Sequence, residues 1–493
     1  MKRKTLPIAH YLLPRLQDVL FLSILLAVML LGPRLFNIDG DLGRHLTTGK
    51  YMLQNRTIPT RDIFSHTMAG APLTPHEWLA EVLFAAAYLI LGLNGVVLLA
   101  ALIIAITFVV IYRDALGRSS LRLTALGLTI WAAAASSLHW LARPHLFTFL
   151  FLALWAERLE QVRRGERVSM WQFPALMLLW ANTHGAFIAG FVTWGIYLIG
   201  WLWDQQGKRR VTDHLGQRLA LIGGLSFLAT LFNPSGWRLW ITSLGYIQNR
   251  FLVSHTAEYF SPDFHQAGTW PFLLLIAFAL LLLSRARVRL PATHSLLLAG
   301  WAAMALYSTR NIPLFAIITP PILAEAIQAS TKESAKASRL ENRLQNIEQT
   351  LGGFLWPALS VLLAFLLTIN PILSRRNQFE AAIFPVQAVD WLEEHPQHGN
   401  MFNYFTWGGY LLYRLWPEQG VFIDGQTDFY GEALTRQYEQ VITLRKGWED
   451  ILGRYGVQWV ILPVESDLAE HLRTDPGWKV LYSDATAILL RRH

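Results

Sequence analysis

Between residues 37 and 92 the chain breaks its apolar pattern with Asp39-Gly40-Asp41, with His45, and with Thr74-Pro75-His76-Glu77-Trp78. A carboxylate set beside apolar sequence can take a proton from a hydroxyl or hold a divalent ion, and a nearby imidazole can orient that proton. Asp41 and His45 are four residues apart, so on a helix they share a face. Further polar residues stand between later apolar runs: His139, Arg143 and His145; Asn182 and His184; Asn233, Glu258, Tyr259, Asp263 and His265; Arg310 and Asn311. A guanidinium fork suits a phosphate. The chemistry suggested is proton abstraction by an acid, with a phosphate met by basic groups. Asp39, Asp41 and Glu77 are the candidate catalytic residues. His45, His76, Arg143, His145, His184 and Arg310 are the candidate substrate-binding residues.

Each has a structural alternative. Asp39 or Asp41 can cap a helix over 42–54. Thr74 to Glu77 fits a capping box with Pro75 at the first helical position. Arg143 and Arg310 can snorkel to lipid headgroups. His184, before Gly185, can be a satisfied polar group at a helix break, and Asp424-Gly425 reads as a strand-end turn. No single residue decides between these readings. The functional one rests on all of them falling on one side of the chain's predicted topology.

That topology follows from composition. Hydrophobic residues make up 53% of the 493 and charged residues 15%, with the apolar residues in long runs, as in a polytopic membrane protein. Eleven spans are predicted, at 18–36, 94–112, 123–140, 145–157, 171–183, 185–203, 217–233, 270–284, 291–308, 311–327 and 352–373. Residues 77–92 are too few to span and read as an amphipathic helix in the interface. With that choice 22 Lys and Arg fall in inner loops and 8 in outer loops before the tail, which places the N-terminus in the cytoplasm and the tail outside. The N-terminal apolar segment reads as an anchor, and the net charge of +8 belongs to these loops, with no nucleic-acid partner. Cysteine is absent, which excludes disulfides, thiolate metal sites and cysteine nucleophiles.

Two units are expected, a membrane unit over 1–373 and an outer α/β unit over 374–493. Residues 328–350 read as a cytoplasmic helical linker. In the tail, helices are expected at 385–394, 407–415, 432–444 and 447–455. Strands are expected at 401–404, 421–423 and 458–462, with a closing hairpin of 478–482 and 487–490.

This order of parts resembles the GT-C superfamily of membrane glycosyltransferases, in particular family-39-like proteins related to protein mannosyltransferases and aminoarabinose transferases. The likeness covers roughly residues 15–330. It lies in a first span, a long outer loop with an acid near its start, an interfacial helix, and a span ending in the basic turn Tyr112-Arg113-Asp114-Ala115-Leu116-Gly117-Arg118. The tail is similar to that of a group of bacterial GT-C-like proteins through Asn403-Tyr404-Phe405-Thr406-Trp407-Gly408-Gly409-Tyr410 and Val421-Phe422-Ile423-Asp424-Gly425.

The resemblance implies transfer of a sugar from a polyprenyl-phosphate carrier to a glycan, lipid or protein acceptor at the outer face of a bacterial inner membrane. In it the first-loop acid, matched by Asp39 or Asp41, acts on the acceptor or binds a divalent metal. Relatives often carry a second acid where this chain has Arg143-Pro144-His145, and a lysine where it has Asn182-Thr183-His184-Gly185. No cofactor is therefore assigned, and a metal is disfavoured. The second class of function is a non-catalytic membrane subunit that binds a lipid or protein partner through its outer unit. A transporter is less supported, because no internal repeat is visible.

Overall fold

The computed structural model describes residues 9–38, 40–205, 214–285, 289–330, 335–353, 355–371 and 375–493. Asp39 lies outside them. Each of the eleven predicted spans falls on a helix, in order Leu16–Leu30, the second part of Trp78–Ser119, Arg122–Ser136, His145–Arg163, Gln172–Thr183, Ile188–Asp204, His214–Thr230, Trp270–Arg285, Ala292–Tyr307, Ile312–Ser330 and Leu355–Ile369. Trp78–Ser119, Gly185–Asp204, Ala267–Arg285 and Thr309–Ser330 are long and apolar enough to cross a membrane. The chain is a polytopic helical membrane protein with a small α/β tail.

Residues 77–92 behave in part as expected. The helix starts at Trp78 and runs on to Ser119, but Leu91 (φ −135°) and Gly92 (φ +60°, ψ −150°) interrupt it. Only glycine adopts that Gly92 backbone without strain. The first part, 78–90, is about 20 Å long, short of the roughly 30 Å hydrocarbon core. The span predicted at 145–157 is longer, and Arg158 and Arg163 belong to its helix.

That helix carries charge down the bundle. His145 opens it, and Glu160 lies about 22 Å further along. Buried Glu160 accepts from Arg163 (2.6 Å), Arg164 (2.9 Å) and the Tyr197 hydroxyl (3.1 Å), and stands 3.1 Å from His294 Nε2. One carboxylate thus ties three helices together at the end of the bundle away from the tail. Nearby, Arg122 binds Glu341 (3.0 Å) and Glu348 (2.6 Å) of helix Ala335–Gln349. The polar stretch 328–350 is therefore a packed helix where it is described; residues 331–334 lie outside the described set.

The tail is a four-stranded mixed sheet of β1 (Asn400–Asn403), β2 (Val457–Pro463), β3 (Trp478–Ser483) and β4 (Ala487–Arg492), in the order β1-β2-β4-β3. β1 and β2 are parallel and the rest antiparallel, with β3 and β4 forming the expected hairpin. Both faces are covered. Phe402, Val460 and Leu490 pack with Leu434, Tyr438 and Leu468 on one side; Met401, Trp459 and Leu489 pack with Leu411, Val389 and Phe64 on the other. The period-2 alternation of a strand sends neighbours to opposite cores.

Residues 421–423 are not a strand. They are fully buried but make one isolated bridge, Ser65 with Val421. Val421 instead exchanges backbone bonds with Phe64 (3.1 Å) and His66 (3.1 Å). Helix 427–442, predicted from 432, starts at Thr427 and kinks at Gly431.

The tail sits directly on helix Asp41–Asn55. A Cβ on Gly40 would collide with the Thr406 carbonyl, one on Gly43 with the Gly409 carbonyl, and one on Gly409 with the Gly40 carbonyl. Glycines on both sides let helix Gly408–Leu415 lie backbone to backbone against helix Asp41–Asn55.

Candidate active site

Helix Asp41–Asn55 points its first turns at the end of the bundle that the tail covers. Asp41 is its first helical residue; the N-cap is Gly40 and carries no side-chain cap. The capping alternative for Asp41 therefore fails. The Asp41 carboxylate is instead ion-paired with Arg143, whose other nitrogen donates to Glu258 at 2.6 Å. Arg310 lies 3.7 Å from Glu258 and donates to the Tyr259 hydroxyl at 3.0 Å. Neither arginine merely snorkels. Burial alone would raise the Glu258 carboxyl, but Arg143 and Arg310 outweigh it and hold it below its usual value.

One helical turn on, Arg44 is the hub of a second network. It donates to Glu81 (3.2 Å), Glu77 (3.4 Å) and Gln426 (3.3 Å), and its Nε is 4.0 Å from Asp424. Burial disfavours its charge, yet Glu81, Asp424, Glu77 and Asp41 together raise its pKa. Beside it His45 Nδ1 stands 3.1 Å from Glu81. Burial, with Arg44 and Arg143 close by, pushes His45 well below its normal value, so it is a neutral imidazole at pH 7.

Glu77 also fails as a cap. It occupies the N-cap position of the helix from Trp78, but its side chain makes no capping bond, and the Thr74 hydroxyl pairs with Thr242 at 3.0 Å instead. The carboxylate faces three imidazoles, His184 at 3.6 Å, His45 at 3.8 Å and His76 at 3.9 Å. His76 also lies 3.7 Å from Asp428. Burial opposes its charge, but Glu77 and Asp428 raise its pKa above the usual value. His184, extended at the break after helix Gln172–Thr183, is fixed by Thr148 at 2.8 Å. Trp78 closes that side by donating to Asn182 at 2.7 Å.

The structure thus brings together Asp41, His45, His76, Glu77, Arg143, His184 and Arg310. His145 is at the margin: its Nε2 bonds the His139 carbonyl at 2.7 Å and its ring centroid is 6.4 Å from that of His184. Asp263 and His265 are exposed; Asp263 accepts from the His265 backbone at 3.0 Å.

Sequence reasoning missed Arg44, Glu81, Asp424, Gln426 and Asp428. Glu81 had a signal, an acid four residues after Glu77 on the same face of an apolar helix. Asp424 had none locally. It is buried, accepts from the Gln426 backbone (2.8 Å) and the Tyr430 hydroxyl (3.1 Å), and is pushed up to about 6 by burial against the pull of Arg44. Gly425 beside it lets the Asp41 carboxylate approach closely, and a Cβ there would displace that carboxylate.

His45, Glu77 and Glu81 each place a ligand atom within 4.8 Å of the others, a donor set of the right chemistry for a divalent ion. The residues nevertheless do not fit one as arranged, because Arg44 bonds all three: the two acids as above, and His45 Nδ1 at 3.3 Å.

The chain is thus a helical membrane bundle with a charged site under an α/β cap. No family model and no curated protein matches the chain. Among solved structures it is similar to the oligosaccharyltransferase of Archaeoglobus fulgidus. The apo form aligns with a TM-score of 0.57 at 12% identity over 90% of this chain and 70% of that one. The archaeal oligosaccharyltransferase AglB from the same organism, in complex with an inhibitory peptide and a dolichol-phosphate, gives 0.57 at 12% identity over 95% and 74%. The first enzyme's complex with Zn and sulfate gives 0.51 at 12% over 97% and 73%. These likenesses show the fold.

Proposed function

We propose that the chain is a membrane glycosyltransferase that moves a sugar from a polyprenyl-phosphate carrier to an acceptor, at the outer face of a bacterial inner membrane. The observation that carries this reading is the convergence of Asp41, Glu77 and Arg310 at one end of the bundle from three separate segments. The fold likeness to an enzyme solved with a dolichol-phosphate supports it.

In this mechanism an acceptor hydroxyl oxygen attacks the anomeric carbon. Its proton passes to the Asp41 carboxylate, and the bond from the anomeric carbon to the phosphate oxygen breaks with inversion. The polyprenyl phosphate leaves with the bonding pair. Arg143, engaged by Asp41 and Glu258, orients the base. Arg310, whose side chain keeps 34% of its surface, meets the departing phosphate. Glu77, among its imidazoles, is the second candidate base. No step is routed through a metal.

The test of the donor site is binding of undecaprenyl phosphate to the purified chain. Arg310→Ala should weaken it about 10- to 100-fold, the worth of a charge-assisted contact, and Arg310→Lys should weaken it less. Equal binding by parent and both variants would end this assignment. One observation favours the alternative of a non-catalytic subunit: the cavity lined by Arg44, Thr48, His76, Glu77 and Gln426 has room for little more than a water molecule. That reading predicts lipid binding without turnover.

A further inference from the structure

In the resemblance the first-loop acid acts on the acceptor or binds a divalent ion, and carboxylates of the kind that hold such an ion are present. What stands among them is arginine. Asp41 begins helix Asp41–Asn55, Glu258 lies in the short helix Ala257–Tyr259, and Arg143 comes from the turn before helix His145–Arg163. These segments are far apart in sequence and meet through one guanidinium, which engages Asp41 with one nitrogen and Glu258 with another. Arg44 does the same for Glu77, Glu81 and His45, and reaches Gln426 of the tail.

Cross-linking acids from distant segments is the structural work a bound ion does. A guanidinium does it with a permanent charge and a planar fork of fixed donors, and it cannot dissociate. With each guanidinium already engaged by two carboxylates, a divalent ion entering either place must displace a tethered cation and meet its repulsion.

We infer that Arg143 and Arg44 are the resident cations of this site, each standing where a divalent ion would otherwise be held, so that the site is assembled without metal. It follows that the metal site is latent. Exchanging Arg143 for an acid removes the fixed cation from between Asp41 and Glu258 and adds a carboxylate of shorter reach on the same turn, which with bridging water makes an oxygen set suited to Mn²⁺. The inference concerns cation content alone and does not depend on the transferase reading.

The test uses the full chain purified in detergent, with metal content and thermal stability measured after EDTA and after return of Mn²⁺ or Zn²⁺. The parent should carry no stoichiometric metal, and neither EDTA nor returned metal should move its Tm. Arg143→Asp should bind about one Mn²⁺ per chain and gain Tm with added Mn²⁺, because a ligand held only by the folded state stabilises it. Arg143→Gln, which removes the charge without adding a ligand, should gain neither. A parent that holds about one ion per chain and loses Tm in EDTA would overturn the inference. So would a folded Arg143→Asp that takes up no Mn²⁺. If Arg143→Asp fails to fold, metal content and EDTA response of the parent still decide the matter. Loss of sugar transfer would leave these readouts unchanged, so failure of the transferase reading is distinguishable.

Discussion

Arg44 is the residue on which most of the site's charge depends. Its side chain is 8% exposed and bonds two acids, a histidine and the tail. Replacing it with Met strands Glu77, Glu81 and Asp424 as buried acids, and the expected loss of stability is about 3–5 kcal/mol. Arg44→Lys should recover only part of this, since one ammonium cannot span the same partners; denaturant unfolding of the three proteins checks the order. Asp424 gives a pH signature. Its folded pKa of about 6 is above its unfolded value. Its contribution is therefore fully present below the unfolded pKa near 4 and is lost as pH rises through 6. The loss is roughly 3 kcal/mol for a shift of this size. Stability measured from pH 4 to 7 should carry this falling component in the parent and lack it in Asp424→Asn. An unchanged slope in the variant would remove Asp424 as its source. Much of this was legible residue by residue. Asp41, Glu77, His184, Arg143 and Arg310 stand out because ionisable groups beside apolar runs are costly. Asp424 was not, because an Asp-Gly pair is an ordinary turn by local rules and its partner lies almost four hundred positions earlier.

At the scale of elements, helix Asp41–Asn55 is held by its glycines. Gly43→Ala would push it off the Gly409 carbonyl, at a cost of about 1–3 kcal/mol for overpacking. Gly127→Ala, in helix Arg122–Ser136 where a Cβ meets nothing within 4 Å, should be neutral or mildly stabilising. Equal melting temperatures for the two variants would show that the close approach is not needed. The eleven helices were readable because long apolar runs leave few alternatives. The strands β1, β2 and β4 were readable because their residues alternate between two buried faces, whereas β3, at the sheet edge and partly exposed, was readable as the hairpin partner of β4. Residues 421–423 misled for the same reason: they are as apolar and as buried as a strand, but their backbone partners are Phe64 and His66, in a segment that carries no strand pattern of its own. Helix Arg238–Gln248 went unseen inside a loop, although its polar face supplies Thr242 to Thr74 and Tyr246 to Thr427.

At the scale of the whole molecule, orientation in the membrane and chemistry at the site are separately testable. The orientation rests on the bias of basic residues, and the absence of cysteine makes it easy to probe. A cysteine at exposed Ser483 should label from outside the cell, and one at exposed Ser120 only after the membrane is opened; the reverse pattern would invert the topology. What the sequence could not convey was how the tail joins the site. Fold class depends on patterns within each segment, whereas the roof over Asp41 depends on where residues 424–428 land in space. The chemistry is tested most directly by transfer of a labelled sugar from polyprenyl-phosphate donors in liposomes, comparing the parent with Asp41→Asn and Glu77→Gln and taking melting temperatures on the same samples. The parent should transfer. Asp41→Asn should fall by about 10²–10⁴-fold, the contribution of a general base, while losing only about 1–3 kcal/mol of stability from the Arg143 pair. Parent and both variants transferring at the same rate would contradict the account, because neither acid could then be the base.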